Sequence, residues 1–421
     1  MKKLKFSLLF TLALSTMSTI LPSVTAKAAD TPPQISGLSA ITIDVKTGEI
    51  IYEKKIDEKR YPASTTKLMT ALLFAENKKE TDMIPYTESA KQQPQYALRT
   101  DVYKNIKIGD TMTAADVMKA MLLFSANDSA YMAADSVGGT TANFIKMMND
   151  TATKFGMKNT HFVTANGLHD NDHYTTPYDL TILGRKAFAN DWVKKVSSTK
   201  DDMITLAATG QPAYVTNRNK NIGQDGCVAG KTGYTSQAGR CLVALYDRDG
   251  RQILGVITND VQGATDTAVF NNMKTIIDWS YKAEKTVVKS KGTVVDHTSI
   301  EYKPLKFFGP TKKMDVDLSI NNDVSYYENE VNKKELSFAT KLNKIDPWNI
   351  SKDNAIGSLE VKQREAVSQY NLYPNISTSD IIAQNKGLYI AASVGCLAAL
   401  VVIIAALLLL KKGLTRKKRP Y

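Results

Sequence analysis

Cysteine is scarce in this sequence, with three residues among 421. A disulfide-rich scaffold is therefore excluded, and stability must come from a hydrophobic core. Cys227 and Cys241 could pair in an exported protein. If residues 230–235 and 240–246 form a hairpin, however, the two cysteines do not lie directly opposite each other, and we expect free thiols.

Acidic residues are missing from both ends of the chain, although both ends are rich in lysine. Residues 1–28 and 411–421 carry ten of the 54 basic residues and no acid. The rest of the chain has 44 basic against 42 acidic residues and is nearly neutral. The net charge of +12 is therefore no argument for nucleic-acid binding, and we expect no nucleic-acid partner.

The two ends have the patterns of export and membrane anchoring. Residues 1–28 combine early lysines, an apolar stretch and Ala26-Lys27-Ala28, which predicts a signal peptide. The uncharged run 388–410 would span about 34 Å as a helix, enough for a bilayer core of about 30 Å. The basic tail 411–421 is expected to stay cytoplasmic, which puts the preceding domains outside the cell on a single-pass anchor.

The segments between the two ends predict two domains and a spacer. Alternation around Thr47-Gly48 predicts a β-hairpin, and Asp249-Gly250 predicts another. Residues 34–283 read as strands and a helix, a helical middle, then more strands and a helix. We predict an α/β domain with an antiparallel sheet flanked by helices plus a helical lobe. Residues 284–365 predict a small all-β domain, and 366–387 a spacer.

Ser64-x-x-Lys67 stands at the start of a predicted helix. Residues three apart share one helix face, so the hydroxyl and the amine can meet. A serine becomes a good nucleophile when a base takes its proton, and a lysine with a lowered pKa can be that base. The pattern is common by chance and is weak evidence alone.

Two further short motifs carry polar groups. Ser125-Ala126-Asn127 interrupts two apolar helices; it is either a helix cap or a hydroxyl and an amide for a substrate. Lys-Thr-Gly occurs at 46–48, where a hairpin turn is the simplest interpretation, and again at 231–233 on a probable strand. A phosphate loop ending at 230–232 fails, because Asp225 occupies the position of the first glycine.

Taken together, Ser-x-x-Lys, Ser-x-Asn and Lys-Thr-Gly are the signature set of penicillin-binding proteins and serine β-lactamases. The segments PASTTKLMTALL, LLFSANDSAYMAAD, NGLHDNDHYTTPYDL and GKTGYTSQAGRCLVA resemble the D-alanyl-D-alanine carboxypeptidase family of low-molecular-mass penicillin-binding proteins. The likeness covers about residues 34–283. The β-rich domain and C-terminal anchor also match the family's usual layout.

The resemblance implies a role for each motif residue. Ser64 attacks the carbonyl between two terminal D-alanines, Lys67 takes its proton, and Ser125 carries a proton to the leaving D-alanine. The remaining residues bind substrate: Asn127 holds the peptide, Lys231, Thr232 and Thr235 hold the terminal carboxylate, Gly233 lets the substrate backbone approach, and Tyr234 with Ser64 supplies oxyanion-hole N–H groups. No cofactor or metal is implied.

Two absences qualify the resemblance. Residues 252–283 contain no arginine, although the family commonly places one there for the carboxylate; Arg240 or Arg251 are possible substitutes. No glutamate occurs between Lys91 and Ala283, so a β-lactamase-type deacylation by Glu is not expected. We therefore expect penicillin to acylate Ser64 and to remain.

The segment HDNDH at 169–173 suggests a metal site, but its Asn-Asp pair and Gly167 favour an exposed loop near the cleft. The prediction is thus an extracellular, membrane-anchored serine DD-carboxypeptidase. Its expected partners are the peptidoglycan pentapeptide ending in D-Ala-D-Ala, and β-lactams as covalent inhibitors. The alternatives are an endopeptidase or transpeptidase on the same site, or a non-catalytic wall-binding scaffold.

Overall fold

The computed structural model describes residues 31–260 and 267–416. The predicted signal peptide at 1–28 and the last five residues of the basic tail lie outside the described residues. In chain order, the strands are β1 (Ser39–Asp44), β2 (Ile50–Lys54), β3 (Met83–Pro85), β4 (Thr111–Thr113), β5 (Asp201–Leu206), β6 (Gln211–Thr216), β7 (Cys227–Thr235), β8 (Gly239–Arg248), β9 (Arg251–Asp260), β10 (Thr286–Lys289), β11 (Val294–Tyr302), β12 (Lys312–Ile320), β13 (Val324–Tyr326), β14 (Ser337–Leu342), β15 (Gly357–Gln363) and β16 (Ala366–Pro374).

The helices alternate with these strands. They are α1 (Lys67–Asn77), α2 (Glu88–Lys91), α3 (Ala114–Lys119), α4 (Asn127–Gly138), α5 (Thr141–Phe155), α6 (Pro177–Ala189), α7 (Asp191–Ser198), α8 (Ala268–Lys282), α9 (Glu330–Glu335), α10 (Thr378–Gln384) and α11 (Lys386–Arg416). Short 3-10 or π turns occupy Ala63–Thr66, Leu98–Val102, Ala120–Phe124 and Pro347–Asn349.

The central sheet is antiparallel, with the strand order β2-β1-β9-β8-β7. Both predicted hairpins are confirmed. Gly48, with φ +77°, lies in the turn between β1 and β2, so the first Lys-Thr-Gly is a turn. Asp249 and Gly250 both have positive φ between β8 and β9, as two-residue hairpins of this type require.

Helices cover both faces of this sheet, which confirms the predicted α/β class. Alternate residues of β8 face opposite sides, so Val243 packs into one core cluster with α6, and Leu242 into another with α8. Gly184 and Gly255 allow the helices to approach closely: an added Cβ at Gly255 would lie 2.4 Å from the sulfur of Met273. This packing holds β7 at one edge of a rigid layer.

The helical lobe is the region between β2 and β5 and is built on α2–α5. Thr113 caps α3, because its hydroxyl accepts from the backbone N–H of Asp116 at 3.1 Å. The fully buried carboxylate of Asp128 accepts from the amides of Leu98 and Arg99. Asp128 therefore fixes the chain next to Tyr96, which reaches the cleft described below.

A second five-stranded sheet, in the order β11-β12-β16-β15-β14, has its own hydrophobic cluster. It departs from the predicted layout in one respect. Residues 366–387, predicted as a spacer, contain β16 and α10, because the alternating segment Ala366–Pro374 pairs with both β15 and β12. Two short helices, α9 and α10, accompany the strands.

Polar contacts join this domain to the first sheet at its β2 edge. The side-chain Nδ2 of Asn332 donates to the backbone oxygen of Ile50 at 2.8 Å, and the Nζ of Lys285 lies 2.7 Å from the carboxylate of Glu49. Arg364 bonds to Asp57. The edge strand β2 of the first sheet is therefore covered by side chains of the second domain.

The chain continues from α10 into α11. Residues Lys386–Lys412 of this helix are long and apolar enough to cross a membrane, and none of the most apolar part is buried against the protein. The helix includes the predicted span at 388–410 and extends beyond it on both sides.

Candidate active site

The first site residue, Ser64, lies in a tight turn that leads into α1. Ala63–Thr66 form a 3-10 turn after Pro62, and Lys67 is the first residue of the α-helix. Ala63 has φ +47°, a conformation that non-glycine residues rarely adopt. The turn places the hydroxyl of Ser64 at the cleft and the side chain of Lys67 inside the protein.

Lys67 is completely buried and makes three polar contacts. Its Nζ lies 2.8 Å from the Oγ of Ser64, 2.9 Å from the Oδ1 of Asn127 and 2.8 Å from the backbone oxygen of Asn166. Burial lowers the pKa of Lys67 well below its usual value, and the charges of Lys231 and Arg218 lower it further. The amine is therefore neutral much more readily than an exposed lysine.

These partners determine how a neutral Lys67 is oriented. A neutral amine has two hydrogens and one lone pair. The backbone oxygen of Asn166 can only accept, and so can the Oδ1 of Asn127, whose Nδ2 is identified by its own donation to the oxygen of Gln95 at 2.9 Å. Both hydrogens are thus used, and the lone pair points to the hydroxyl of Ser64.

The second motif lies where the lobe meets the sheet. Ser125 ends the Ala120–Phe124 turn with φ +72°, and Asn127 begins α4. The backbone N–H of Asn127 donates to the backbone oxygen of Tyr96 at 2.7 Å. A left-handed conformation at a serine costs on the order of 1–3 kcal/mol, and here it turns the hydroxyl towards β7.

Lys231, on β7, meets Ser125. Its Nζ donates to the Oγ of Ser125 at 2.9 Å and to the backbone oxygen of Thr232 at 3.0 Å. Burial, assisted by the charge of Arg218, lowers the pKa of Lys231 to about 7. The structure therefore brings together five predicted residues from a helix, a loop and a strand: Ser64, Lys67, Ser125, Asn127 and Lys231.

The rest of the third motif lines the cleft along β7. An added Cβ at Gly233 would lie 3.0 Å from both the oxygen of Pro62 and the nitrogen of Ser64. The glycine thus lets the strand approach the serine turn, whereas the sequence had suggested only an approach of substrate. Thr232 and Tyr234 face the cleft, and Thr235 accepts from the amide of Ala238 at 3.0 Å.

Only one of the two arginines suggested as ligands for the substrate carboxylate lies in the cleft. Arg240 lines the cleft and lies over the ring of Tyr234. Arg251 does not: its guanidinium contacts the oxygen of Tyr281 and the hydroxyl of Tyr327, away from the cleft. Arg251 is therefore excluded as a ligand for a substrate carboxylate.

A third arginine, Arg218, lines the same cleft and was missed by sequence reasoning. Its guanidinium stacks between the rings of Tyr96 and Phe124, each 4.8 Å away. Burial lowers its pKa. Nothing in the segment VTNRNKN marks this residue, because its partners come from distant parts of the chain.

The loop after α5 packs against the turn that carries Ser64. Gly167 has φ +84°, and an added Cβ would lie 1.9 Å from the oxygen of Ala63. His173, expected in an exposed loop, is buried. Its Nδ1 accepts from the amides of Val163 and Thr164, so Nε2 carries the proton and donates to Thr66 at 2.9 Å. Both ring nitrogens are thus engaged, which leaves none for a metal.

The cysteines were predicted to be free thiols, and they are. In the register of β7 and β8, Cys227 faces Tyr246 and Cys241 faces Gly233, so the two cysteines are not opposite each other. Burial raises the pKa of Cys227 to about 11 and that of Cys241 to about 12, so both stay protonated near neutral pH.

The cleft around these residues is open and measures about 970 Å³. The lining residues that the structure describes include Arg218, Lys220, Arg240 and several aromatic residues. None of these lining residues is an aspartate or a glutamate. Such a cleft has the charge to bind an anionic group next to Ser64.

Comparison with known proteins gives a consistent result. The family model described as D-alanyl-D-alanine carboxypeptidase, peptidase S11, matches residues 25–262. The D-alanyl-D-alanine carboxypeptidase DacC of Escherichia coli is 32% identical over 269 residues, which are 62% of this chain and 64% of that relative. The chain thus matches less than two thirds of this relative's length.

Solved structures show the same fold. The DD-transpeptidase of Streptomyces K15 superposes with a TM-score of 0.54 and 25% identity, over 60% of this chain and all of that one. The D-alanyl-D-alanine carboxypeptidase DacD of Francisella tularensis, at 20% identity and a TM-score of 0.58, covers 82% of this chain. The second likeness concerns the fold alone and extends it beyond the first sheet.

Proposed function

The chain belongs to the D-alanyl-D-alanine carboxypeptidase family, and we propose that it is a serine DD-carboxypeptidase. It removes the terminal D-alanine from peptidoglycan stem pentapeptides through an acyl-enzyme on Ser64. The observation that carries this proposal is the contact of Lys67 with Ser64. A buried lysine with a lowered pKa and two obligate acceptors can use its lone pair only on that hydroxyl.

Acylation follows from this arrangement. Ser64 Oγ attacks the carbonyl carbon between the two D-alanines as its proton moves to Lys67. The C–N bond then breaks, and the departing amine takes a proton from Ser125, whose hydroxyl is replenished from Lys231 at 2.9 Å. Water finally attacks the ester carbonyl and its oxygen stays on the shortened peptide. The proton of the water restores Lys231 through Ser125, and Lys67 returns its proton to Ser64 Oγ as the ester bond breaks.

The developing oxyanion needs preorganised donors. We assign them to the backbone N–H groups of Ser64 and Tyr234. The absence of a side chain at Gly233 supports this, because it lets β7 approach the nitrogen of Ser64. Removal of one such donor costs about 3 kcal/mol of transition-state stabilisation in comparable sites.

The terminal carboxylate of the substrate is assigned to the cationic side of the cleft. Lys231 supplies the inner charge, and the hydroxyls of Thr232 and Thr235 supply donors. Arg218 and Arg240 line the same cleft and replace the arginine missing from 252–283. A planar guanidinium suits a carboxylate because it can donate two parallel hydrogen bonds.

The contacts of Asn127 support a role other than the expected grip on the peptide. Its Oδ1 accepts from Lys67 and its Nδ2 donates to Gln95, so both ends of the amide are engaged in the free protein. We therefore assign Asn127 to the orientation of Lys67, and the grip on the peptide falls mainly to β7.

Two further parts of the proposal concern location. α11 is assigned as a single-pass membrane anchor with the catalytic domain outside the cell. Its length, apolar composition and exposure support this. The second domain is assigned as a stalk that holds the cleft away from the membrane, which its place between β9 and α11 in the chain supports.

The test is release of D-alanine from a peptide ending in D-Ala-D-Ala by the full chain in detergent. Release is expected from the wild type. It should be abolished by Ser64→Ala and by prior penicillin, whereas the control Ser198→Ala, at an exposed serine at the end of α7, should retain it. Penicillin labelling of Ser64 without release of D-alanine would contradict the carboxypeptidase assignment.

A transpeptidase is the second candidate, because the K15 DD-transpeptidase shares this fold at 25% identity over its whole length. An added glycyl amine acceptor distinguishes the two. Hydrolysis alone supports the carboxypeptidase, while a new amide product formed at the expense of hydrolysis supports the transpeptidase. Intact peptide with no penicillin labelling would favour the wall-binding scaffold.

A further inference from the structure

Two phenylalanines stand out in the second domain because they face solvent. Residues 303–311, which join β11 to β12, are called here the Phe loop. Phe307 is 73% exposed and Phe308 is 74% exposed, and neither belongs to a hydrophobic core cluster of the described residues. Adjacent exposed aromatic side chains in a hairpin loop have the composition of a contact surface.

The Phe loop lies beside the first turns of α11. At the stem of the loop, the hydroxyl of Tyr302 accepts from Asn385 at 2.9 Å, and Lys312 donates to the same asparagine at 2.7 Å. Further out, the hydroxyl of Tyr389 donates to the oxygen of Pro304. The loop therefore runs along the helix in the direction of its apolar segment.

These contacts set the depth of the loop. Asn385 directly precedes α11, and Tyr389 is four residues further, which is about 6 Å along a helix axis. Tyr389 falls within the first turn of the apolar segment, where tyrosines commonly mark the membrane–water interface. Pro304 thus sits at the level where an anchoring membrane would begin, with Phe307 and Phe308 only three and four residues beyond it.

The charges of the Phe loop fit the same surface. The Phe loop and the first two residues of β12 together contain four lysines and no acid. Lys313 pairs with Glu301 at 3.1 Å and Lys312 bonds to Asn385, whereas Lys303 and Lys306 are exposed in the loop itself. Aromatic rings flanked by lysines suit a layer that is apolar on one side and anionic on the other.

We propose that the Phe loop inserts Phe307 and Phe308 into the outer leaflet of the membrane that α11 crosses, with Lys303 and Lys306 at anionic lipid headgroups. The inference rests on the proposed anchoring by α11. A single helix leaves a domain free to tilt about it. A second contact beside the helix removes that freedom and fixes the direction in which the cleft faces.

The test places an environment-sensitive fluorophore at Phe308 in the full chain. The variant is F308C in a C396A background, because Cys227 and Cys241 are buried thiols with raised pKa values. F338C in the same background is the matched control, since Phe338 is 39% exposed on β14 at the opposite edge of the second sheet from β11. Both proteins are reconstituted into vesicles of phosphatidylcholine and phosphatidylglycerol.

We expect doxyl-labelled lipid to quench the fluorophore at position 308 at least threefold more strongly than the fluorophore at position 338. Iodide should quench the fluorophore at position 308 at least threefold more weakly than the one at position 338. Equal access of iodide to the two positions in vesicle-bound protein would overturn the proposal. Protection from iodide without lipid quenching would also overturn it and would indicate contact with a second copy of the chain. Lipid quenching that persists unchanged without phosphatidylglycerol would overturn the assignment of the lysines.

Flotation of the same vesicles separates this inference from the anchoring on which it rests. Protein that fails to float with the vesicles would overturn both the anchor and the Phe loop. Protein that floats while position 308 stays in water would overturn the Phe loop alone and leave the anchor intact. D-alanine release in detergent is independent of both results.

Discussion

The Nζ of Lys67 lies 2.8 Å from the backbone oxygen of Asn166, 99 residues further along the chain. This contact uses one hydrogen of the amine, so the geometry of the loop around Asn166 decides where the lone pair of Lys67 points. Gly167 allows the loop to approach, because its missing side chain leaves room for the oxygen of Ala63. In the proposed mechanism, the loop thus helps to orient the base that activates Ser64, although it offers no catalytic side chain.

Gly167→Ala is expected to disable the site. The new Cβ would stand 1.9 Å from the oxygen of Ala63, in addition to the strain of φ +84°. We expect penicillin acylation at least 100-fold slower and a free energy of unfolding lower by about 3 kcal/mol. Gly210→Ala is the control, because its φ is +64° but no atom lies within 4 Å. Equal losses in the two variants would refute the role of close approach.

Carboxypeptidase activity is expected to fall on the alkaline side of neutrality. The pKa of Lys231 is lowered to about 7, chiefly by burial, so its positive charge is lost as the pH rises through that value. The alkaline limb of kcat/KM reports the free enzyme and should have an apparent pKa near 7. In Lys231→Arg, the guanidinium stays charged but passes on a proton poorly, so activity should be lower and the limb of the remaining activity should move up by more than one pH unit. An unchanged limb would exclude Lys231 as its origin.

Arg218→Gln should act in two measurable ways. It removes a positive charge that lowers the pKa of Lys231, so the alkaline limb should move to higher pH. It also removes a guanidinium from the cleft, and KM for a peptide with a free carboxylate should rise about tenfold, equivalent to about 1.4 kcal/mol. A peptide amide should show no such change. Arg251→Gln, away from the cleft, is the control; a KM effect as large there would contradict the assignment.

His173 should make the fold sensitive to acid. Burial lowers its pKa from 6.5 to about 4, so the unfolded chain binds the proton more readily than the folded protein between these values. The stability that neutral His173 contributes is present above pH 6.5 and is lost as the pH falls towards 4. When the pH is lowered from 7 to 5, the free energy of unfolding of the wild type, measured with denaturant, should fall by about 2 kcal/mol more than that of His173→Gln. His161→Gln, at an exposed histidine, should behave as the wild type.

Penicillin should form a long-lived adduct. No aspartate or glutamate is found among the described residues that line the cleft, so a carboxylate to activate the deacylating water is missing there. Intact-protein mass spectrometry should show the penicilloyl mass on Ser64 persisting for many minutes after free drug is removed. Penicillin turnover as fast as that of a β-lactamase would show that another group activates the water.

Sequence reasoning succeeded where the signal was local. The two Lys-Thr-Gly segments could be told apart, because alternating residues on both sides of Thr47-Gly48 indicate a hairpin and the second copy lies within a long strand. The Asp249-Gly250 turn was likewise determined by a few adjacent residues. The antiparallel sheet with helices on both faces followed from these elements.

The parts that were missed depend on contacts between distant segments. Arg218 enters the cleft because Tyr96 and Phe124 provide a stacking slot, which no short window of sequence reveals. Asn166 acts through a backbone oxygen, for which the side chain is no guide. The strand at 366–374 looked like a spacer, since its identity as a strand depends on pairing with β12 and β15.

The contact between Asn332 and the oxygen of Ile50 has a consequence for protein quality control. β2 is an edge strand, and an edge with unpaired backbone groups is a template for pairing with other chains. The second domain shields that edge, so a chain cut after residue 283 would expose it and tend to aggregate. Weak cell-wall trimming by such a truncated chain would then reflect a shortage of folded enzyme, whatever height the intact domain gives the cleft.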